Sequence, residues 1–202
     1  YYQGNRYIQE IEFKAIELAK ELFNADFVEI RAISGMTANL GVLLGLTNPD
    51  DLVIECGRDI GGHRTASKLT TAKVVKLRVM NYPVDPSRYN IDLEKAKEVI
   101  KEQRPKLLTL GGSIFLFPHP VREIKAAAED VGAYVSYDAS HVLGLIAGKQ
   151  FQHAIDEGAD IMLGSTHKTF AGPQGGIILS RNPAAFKEIK LCPSIVDSHH
   201  PN

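Results

Sequence analysis

Hydrophobic positions along the chain alternate between helical and extended spacing. Ile8, Ile11, Ala15, Leu18 and Leu22 recur every three or four residues, which predicts one face of a helix. The same spacing predicts four more helices, over residues 37–46, 92–100, 121–131 and 151–158. Short apolar runs between them predict strands: DFVEIRA, DLVIEC, KVVKLRV, KLLTL, AYVSYD, DIMLGS and GIILS. We therefore expect a three-layer α/β/α fold with a mostly parallel sheet covered by helices on both faces.

Ligands of such sheets bind beyond the carboxyl ends of the strands, so the residues after each strand are the candidates for chemistry. Ser34, Gly35, Met36 and Thr37 follow the first strand and lead into a helix. Free backbone N–H groups at that point could cradle a phosphate. An ordinary helix start capped by Thr37 is the alternative interpretation.

Two further strand ends carry smaller signals. His63 follows the Gly61–Gly62 pair, which lets the backbone pass close to another group, and its flat ring could stack on an aromatic ligand. Ser113 follows KLLTL and could contact a ligand oxygen. The alternatives are a surface histidine in a glycine-rich loop and a simple turn serine.

The last two strand ends carry a carboxylate and an amine. Asp138 and His141 lie in the segment DASH, where a half-buried carboxylate needs a cationic partner or serves as a helix cap. Lys168 lies in GSTHKTFAGPQGG among small and hydroxyl-bearing residues. A lysine shielded in such a pocket can act as a nucleophile toward an aldehyde, whereas an ordinary surface lysine is only a solvated charge.

These candidates together match the needs of one aldehyde cofactor that carries a phosphate and a pyridine ring. Such a cofactor needs a lysine for a Schiff base, a carboxylate at the ring nitrogen, a flat group over the ring, a phosphate cradle and a donor near the ring hydroxyl. Lys168, Asp138, His63, the turn at 34–37 and Ser113 fill those needs in that order.

Composition and charge exclude several classes of function. Hydrophobic residues make up 44% of the 202 residues and charged residues 23%, which is typical of a globular protein with a substantial core. The net charge of -1 favours neither a nucleic-acid nor a membrane partner. The two cysteines, Cys56 and Cys192, show neither metal-type spacing nor a disulfide framework, so we expect a cytoplasmic protein without a structural metal.

Four segments, SGMTANL, GGHRT, YDASHVLGLIAGKQF and STHKTFAGPQGG, resemble the serine hydroxymethyltransferase family. The resemblance runs from residue 1 to about residue 180 and implies the aspartate-aminotransferase-like large domain of fold type I pyridoxal-phosphate enzymes. It implies the reversible conversion of serine to glycine, with one carbon passed to a reduced folate or modified pterin. It also implies a homodimer with shared active sites.

The resemblance assigns catalytic roles to five residues. Lys168 would carry pyridoxal 5'-phosphate as an internal aldimine, and Asp138 would pair with the pyridinium nitrogen. His63 would stack on the ring, and His141 would lie near the ring hydroxyl. Tyr2 falls in a segment that reaches into the partner subunit's site.

Further residues match the cofactor-binding positions of the family. Ser113 matches a group near the ring hydroxyl, His167 matches a cofactor-site histidine, and Ser165 stands where the family usually has threonine. The phosphate cradle comprises Gly35, Met36 and Thr37.

Several positions depart from the family pattern. Met36 replaces a phosphate-binding serine, Gln174 an arginine, Ala66 a second histidine, and Arg58 an apolar residue of the folate loop. The segment DSHHPN lacks the glycine pair that reaches a neighbour's phosphate. These departures favour a divergent or archaeal-type member.

We expect residues 1–202 to form the cofactor-binding large domain of that family. The family's N-terminal arm, with its glutamate acid/base, and its small domain, with the substrate-carboxylate arginine, have no counterpart in these residues. The domain would then be poorly competent by itself.

Two alternatives remain open at this point. One is another fold type I lyase or aldolase, such as a threonine aldolase-like enzyme. The other is a non-catalytic piece of the same fold, against which the retention of both Lys168 and Asp138 argues.

Overall fold

The computed structural model describes residues 5–190 of the chain. The helices of this part are α1 Arg6–Phe23, α2 Gly35–Leu46, α3 Thr65–Thr71, α4 Leu93–Gln103, α5 Val121–Val131, α6 Leu143–Ala147 and α7 Pro183–Lys190. The strands are β1 Phe27–Glu29, β2 Leu52–Glu55, β3 Arg78–Asn81, β4 Val84–Asp85, β5 Asn90–Ile91, β6 Leu107–Gly111, β7 Tyr134–Asp138, β8 Ile161–His167 and β9 Ala171–Ser180.

Seven of the strands form one sheet in the order β1-β9-β8-β7-β6-β2-β3. The five strands from β8 to β3 run parallel to one another, and β9 runs antiparallel to both β8 and β1. The predicted mostly parallel sheet is therefore confirmed. β7 and β8 are immediate neighbours, so the residues that follow them emerge at the same edge.

Helices cover both faces of this sheet, because successive side chains of each strand point to opposite faces. Leu108 of β6 packs in a core with α1, α4, α5 and α6, whereas the preceding Leu107 packs in a second core with α2, α3 and α7. Val121 and Ile124 of α5 are fully buried, and each such side chain contributes about 1.5–3 kcal/mol of burial free energy. The three-layer prediction is confirmed.

Two element predictions are wrong in detail. Residues 151–158 form no helix, and turns occupy only residues 154–158. The Gln152 side chain bonds both backbone groups of His119, and Gly158 takes a φ of +102°. The strand expected from Lys73 begins only at Arg78. Lys73 has a φ of +59°, and the N–H of Val74 turns back onto Leu69, so these residues close the end of α3.

Within residues 5–190, no helix combines the length and the apolar character that a membrane span requires.

Candidate active site

A cleft of about 170 Å³ lies at the carboxyl ends of the parallel strands. It is formed by the loops after β2, β6, β7 and β8 together with the first turn of α2. The predicted site residues that line it are Gly35, Met36, His63, Ser113, Asp138, His141, Ser165, His167 and Lys168. Residues distant in sequence are thus brought together at the edge where the strand pattern placed them.

Two predicted residues need separate comment. Thr37 lies in the first turn of α2, where its N–H donates to the Ser34 hydroxyl at 3.1 Å. Ser34, in extended backbone conformation, is therefore the cap of the helix, and the alternative that made Thr37 the cap is wrong. Tyr2 lies outside the described residues.

The start of α2 leaves backbone donors pointing toward the cleft. Ser34 satisfies the N–H groups of Thr37 and Ala38, whereas those of Gly35 and Met36 have no intrahelical partner, as in the first turn of any helix. A Cβ on Gly35 would lie 2.7 Å from the Ser140 hydroxyl and 3.2 Å from the backbone nitrogen of Ser165, so glycine lets the start of α2 pack closely against these two residues of the cleft. This corner of the cleft therefore offers free N–H groups and the positive end of a helix dipole.

Asp138 ends β7 and is held by two donors. The backbone N–H of Ser140 donates to Oδ1 at 2.9 Å, and the Asn39 amide donates to Oδ2 at 2.8 Å. The second proton of the same amide goes to the Gly35 carbonyl oxygen at 3.0 Å. Asp138 forms no ion pair within residues 5–190, so the alternative of a structural salt bridge finds no support there.

Lys168 follows β8, and its Nζ lies 3.0 Å from Nε2 of His141. Burial and the nearby Lys168 charge lower the pKa of His141, so the imidazole stays neutral and can accept from the amine. Thr169 ties the two segments together, because its hydroxyl donates to the His141 carbonyl oxygen at 2.9 Å. The amine is thus held in place by a hydrogen bond to a neutral imidazole nitrogen.

His63 is half-buried on the wall of the cleft formed by the loop after β2. Its Nδ1 lies 2.7 Å from the Thr65 hydroxyl, which fixes the ring orientation. Burial lowers the pKa of His63, and Lys68, Lys168 and His141 add to the effect against the opposing charge of Asp138. The ring is therefore neutral at neutral pH.

The glycine pair before His63 packs against protein and not against the open cleft. Gly61 has a φ of +74°, and its carbonyl oxygen accepts from the N–H groups of Ser113 at 2.8 Å and Ile114 at 3.1 Å. Gly62 packs onto the Cys56 carbonyl oxygen. The close approach expected at this pair therefore joins the His63 loop to the Ser113 loop and fixes both at the rim.

The positions that depart from the family pattern have ordinary surroundings. Gln174 donates to the Ile33 carbonyl oxygen at 3.2 Å, next to the start of α2. Met36 is partly exposed at the cleft, Arg58 is exposed, and Ala66 is buried against β2. The Ser165 hydroxyl donates to the Ser140 carbonyl oxygen at 3.2 Å and so braces the floor of the cleft.

Sequence reasoning did not single out Asn39 and Ser140. Asn39 could have been found, because it is a buried amide on a helix whose buried residues are otherwise apolar or glycine. Such a side chain needs a polar partner, and Asp138 provides it. The role of Ser140 depends on its backbone N–H, which the residue type does not reveal.

Comparison with known proteins agrees with this geometry. The serine hydroxymethyltransferase family model matches residues 1–192. Serine hydroxymethyltransferases of Thermococcus onnurineus and Methanocaldococcus jannaschii are each 47% identical to the chain, over 99% and 98% of it. That of Archaeoglobus fulgidus is 45% identical over the whole chain. The chain spans about half the length of these curated relatives, 48%, 47% and 46% respectively.

A solved structure is similar as well. The L-threonine transaldolase of Pseudomonas fluorescens, determined in its internal aldimine state, superposes with a TM-score of 0.86 at 28% identity. The match covers 97% of this chain and 45% of the transaldolase. With the family model spanning nearly all residues, this chain belongs to the serine hydroxymethyltransferase family.

Proposed function

We propose that this chain is the cofactor-binding large domain of a pyridoxal-phosphate-dependent serine hydroxymethyltransferase, which interconverts serine and glycine by one-carbon transfer. The observation that carries the proposal is the convergence of Lys168 and Asp138, from adjacent parallel strands, on one cleft. Family membership and the identity to curated relatives support it.

The residues of the cleft fit pyridoxal phosphate in their chemistry. The free N–H groups of Gly35 and Met36, at the start of α2 on the cleft wall, suit a phosphate. The Lys168 amine suits an aldehyde carbon, and the Asp138 carboxylate suits a protonated ring nitrogen. The flat, neutral ring of His63 suits the face of an aromatic ring.

Each side chain has a definite task in this proposal. When bound, the cofactor supplies an electron sink for bonds broken at the α-carbon of the amino acid. Asp138, fixed by Asn39 and by the Ser140 N–H, holds the proton at the ring nitrogen. His141 Nε2 accepts a hydrogen bond from Lys168 Nζ at 3.0 Å and so holds the amine at the cleft for attack on a carbonyl carbon.

The remaining assignments follow the family resemblance. Thr37 steadies the phosphate corner through its contact with Ser34, while Ser113, Ser165 and His167 line the cofactor cleft. Tyr2 would act in the site of a partner subunit. The co-substrate would be a reduced folate or a modified pterin.

A homodimer is part of the proposal. The first half of α1 and the loop after β6 expose large apolar side chains, including Ile11 at 70%, Ile114 at 68% and Leu116 at 68%. Exposed apolar surface of this extent marks an interaction site. The cleft is also open at Lys168, which a second subunit would cover. The buried free thiol of Cys56 suits a reducing cytoplasm.

The similarity to L-threonine transaldolase favours one second candidate, an aldol-type exchange on threonine. Both reactions cleave the bond between the α- and β-carbons of a β-hydroxy amino acid, so the same cleft could serve either.

The test is conversion of labelled L-serine to glycine by purified protein with pyridoxal phosphate, with and without a reduced pterin. We expect glycine to form from serine, only slowly where residues 1–202 act by themselves, and the pterin to accelerate the reaction. Cleavage of L-threonine without any pterin-dependent serine conversion would favour the second candidate. No reaction on either substrate would contradict the proposal.

A further inference from the structure

Glu55 is a buried carboxylate at the carboxyl end of β2, and the proposed chemistry leaves it without a role. Its side chain is 2% exposed and is not among the residues that line the cofactor cleft. It accepts hydrogen bonds from the backbone N–H of Ala66 at 3.0 Å and of Ser67 at 3.2 Å. The Ser67 hydroxyl makes a further, short bond to the same carboxylate.

These bonds fasten the first turn of α3 to the sheet. α3 has only seven residues, and a helix this short is unstable unless tertiary contacts hold it. Its cap residue, Arg64, supplies no side-chain bond and has a φ of +58°. The Glu55 carboxylate therefore does the work that a capping side chain would normally do.

The fastened turn carries the group that orients His63. Thr65 is the first residue of α3, directly before the two N–H groups that Glu55 accepts, and it is itself buried. Its hydroxyl contacts His63 Nδ1 at 2.7 Å. A chain of direct contacts thus leads from β2 through the start of α3 to the imidazole on the cleft wall.

We propose that Glu55 is a positioning residue that holds His63 in place for stacking on the bound cofactor ring, by anchoring Thr65 at the start of α3. The inference rests on the proposed pyridoxal-phosphate site and adds a residue that does not touch the cofactor. Burial raises the pKa of Glu55, and the hydrogen bonds from Ser67 and Ala66 oppose that rise. These bonds thus favour the ionised carboxylate that accepts them.

Three variants test it. Glu55→Gln places an amide donor against backbone donors, Ser67→Ala removes one bond to the carboxylate, and Thr65→Val cuts the contact to His63. Asp160→Asn is the matched control, because Asp160 is also a buried, hydrogen-bonded carboxylate. It lies at the amino end of β8, whereas the cleft lies at the carboxyl ends of the strands. Pyridoxal-phosphate affinity, the visible circular dichroism of the bound cofactor and the unfolding midpoint are measured for each protein.

We expect Glu55→Gln and Thr65→Val to weaken cofactor affinity about tenfold, equivalent to about 1.4 kcal/mol, and to reduce the dichroism. Ser67→Ala should do the same to a smaller degree. Asp160→Asn should lower the unfolding midpoint and leave affinity and dichroism unchanged.

The inference is overturned if Glu55→Gln lowers only the unfolding midpoint, as the control does. If Glu55→Gln does not fold, Thr65→Val and Ser67→Ala decide the question, and unchanged dichroism in both overturns it. A wild-type protein that binds no pyridoxal phosphate refutes the proposed function itself, whereas normal binding in all variants refutes this inference alone.

Discussion

Asn39→Ala isolates the link between the phosphate corner and the Asp138 carboxylate. The wild-type amide donates to Asp138 Oδ2 at 2.8 Å and to the Gly35 carbonyl oxygen at 3.0 Å. Alanine removes both bonds, and it does so at a residue that is only 9% exposed.

The structure sets the expected size of the effect. A hydrogen bond to a charged group contributes about 1.5–3 kcal/mol and a neutral one about 0.5–1.5 kcal/mol. The free energy of unfolding should therefore fall by about 2–4.5 kcal/mol without cofactor. Cofactor affinity should fall by about tenfold besides, since Asp138 loses the donor that fixes Oδ2.

The assay pairs urea unfolding of the cofactor-free protein with a titration of pyridoxal phosphate. Thr47→Val is the control, because Thr47 caps the other end of α2 and its hydroxyl donates to the Leu43 carbonyl oxygen at 2.6 Å. The control should lose about 1 kcal/mol of stability and bind the cofactor normally. An Asn39→Ala protein with normal cofactor affinity would refute the coupling of Asn39 to Asp138.

Three further predictions concern other residues. Gly35→Ala puts a Cβ 2.7 Å from the Ser140 hydroxyl and should displace the start of α2. Inorganic phosphate should then compete with pyridoxal phosphate less well than it does in wild type. Equal competition in the two proteins would contradict the assignment of the phosphate site to the start of α2. Burial lowers the pKa of His119 to about 4, below the unfolded value of 6.5, so stability is full above pH 6.5 and is lost as pH falls toward 4. Urea unfolding at a series of pH values should show that the free energy of unfolding falls by about 3 kcal/mol over this range. A wild-type free energy of unfolding that does not change with pH would contradict this, and so would a His119→Asn protein with the same pH dependence as wild type. Asp160→Asn breaks a buried pair with Lys125 at 3.0 Å and should cost about 3–5 kcal/mol; a loss below 1 kcal/mol would show that the pair contributes little.

Hydrophobic spacing was enough to predict the layers of the fold. α4 and α5 each bury one clear stripe, and α4 begins after Asp92, whose side chain caps it. In α1 the predicted positions Ile8, Ile11, Leu18 and Leu22 are exposed, and the helix buries Ala19 and Phe23 instead. The parallel sheet followed from the alternation of helices and strands, because parallel strands need such crossovers. The short elements α3 and α6 were missed because seven and five residues are too few to show a period.

The sequence predicted which residues lie at the carboxyl ends of the strands, but it did not predict the hydrogen bonds between them. The sheet places Asp138 and Lys168 on neighbouring strands, and their sequence positions alone suggested that. The roles of Asn39 and Glu55 were not predicted, because the role of a buried polar side chain depends on its hydrogen-bond partner. The partner of Asn39 is distant in sequence, and the Glu55 carboxylate accepts from backbone N–H groups, which the residue type does not reveal. The Gly61–Gly62 pair was correctly taken as a close approach, but the approaching group is the protein's own Ser113 loop.

The attachment point of the cofactor tests the central claim most directly. Purified protein is incubated with pyridoxal phosphate, reduced with borohydride, digested and mapped by mass spectrometry. The account predicts a single labelled peptide with the pyridoxyl group on Lys168, and no label in a Lys168→Ala protein. Label on another lysine, or a protein that takes up no cofactor, would contradict it.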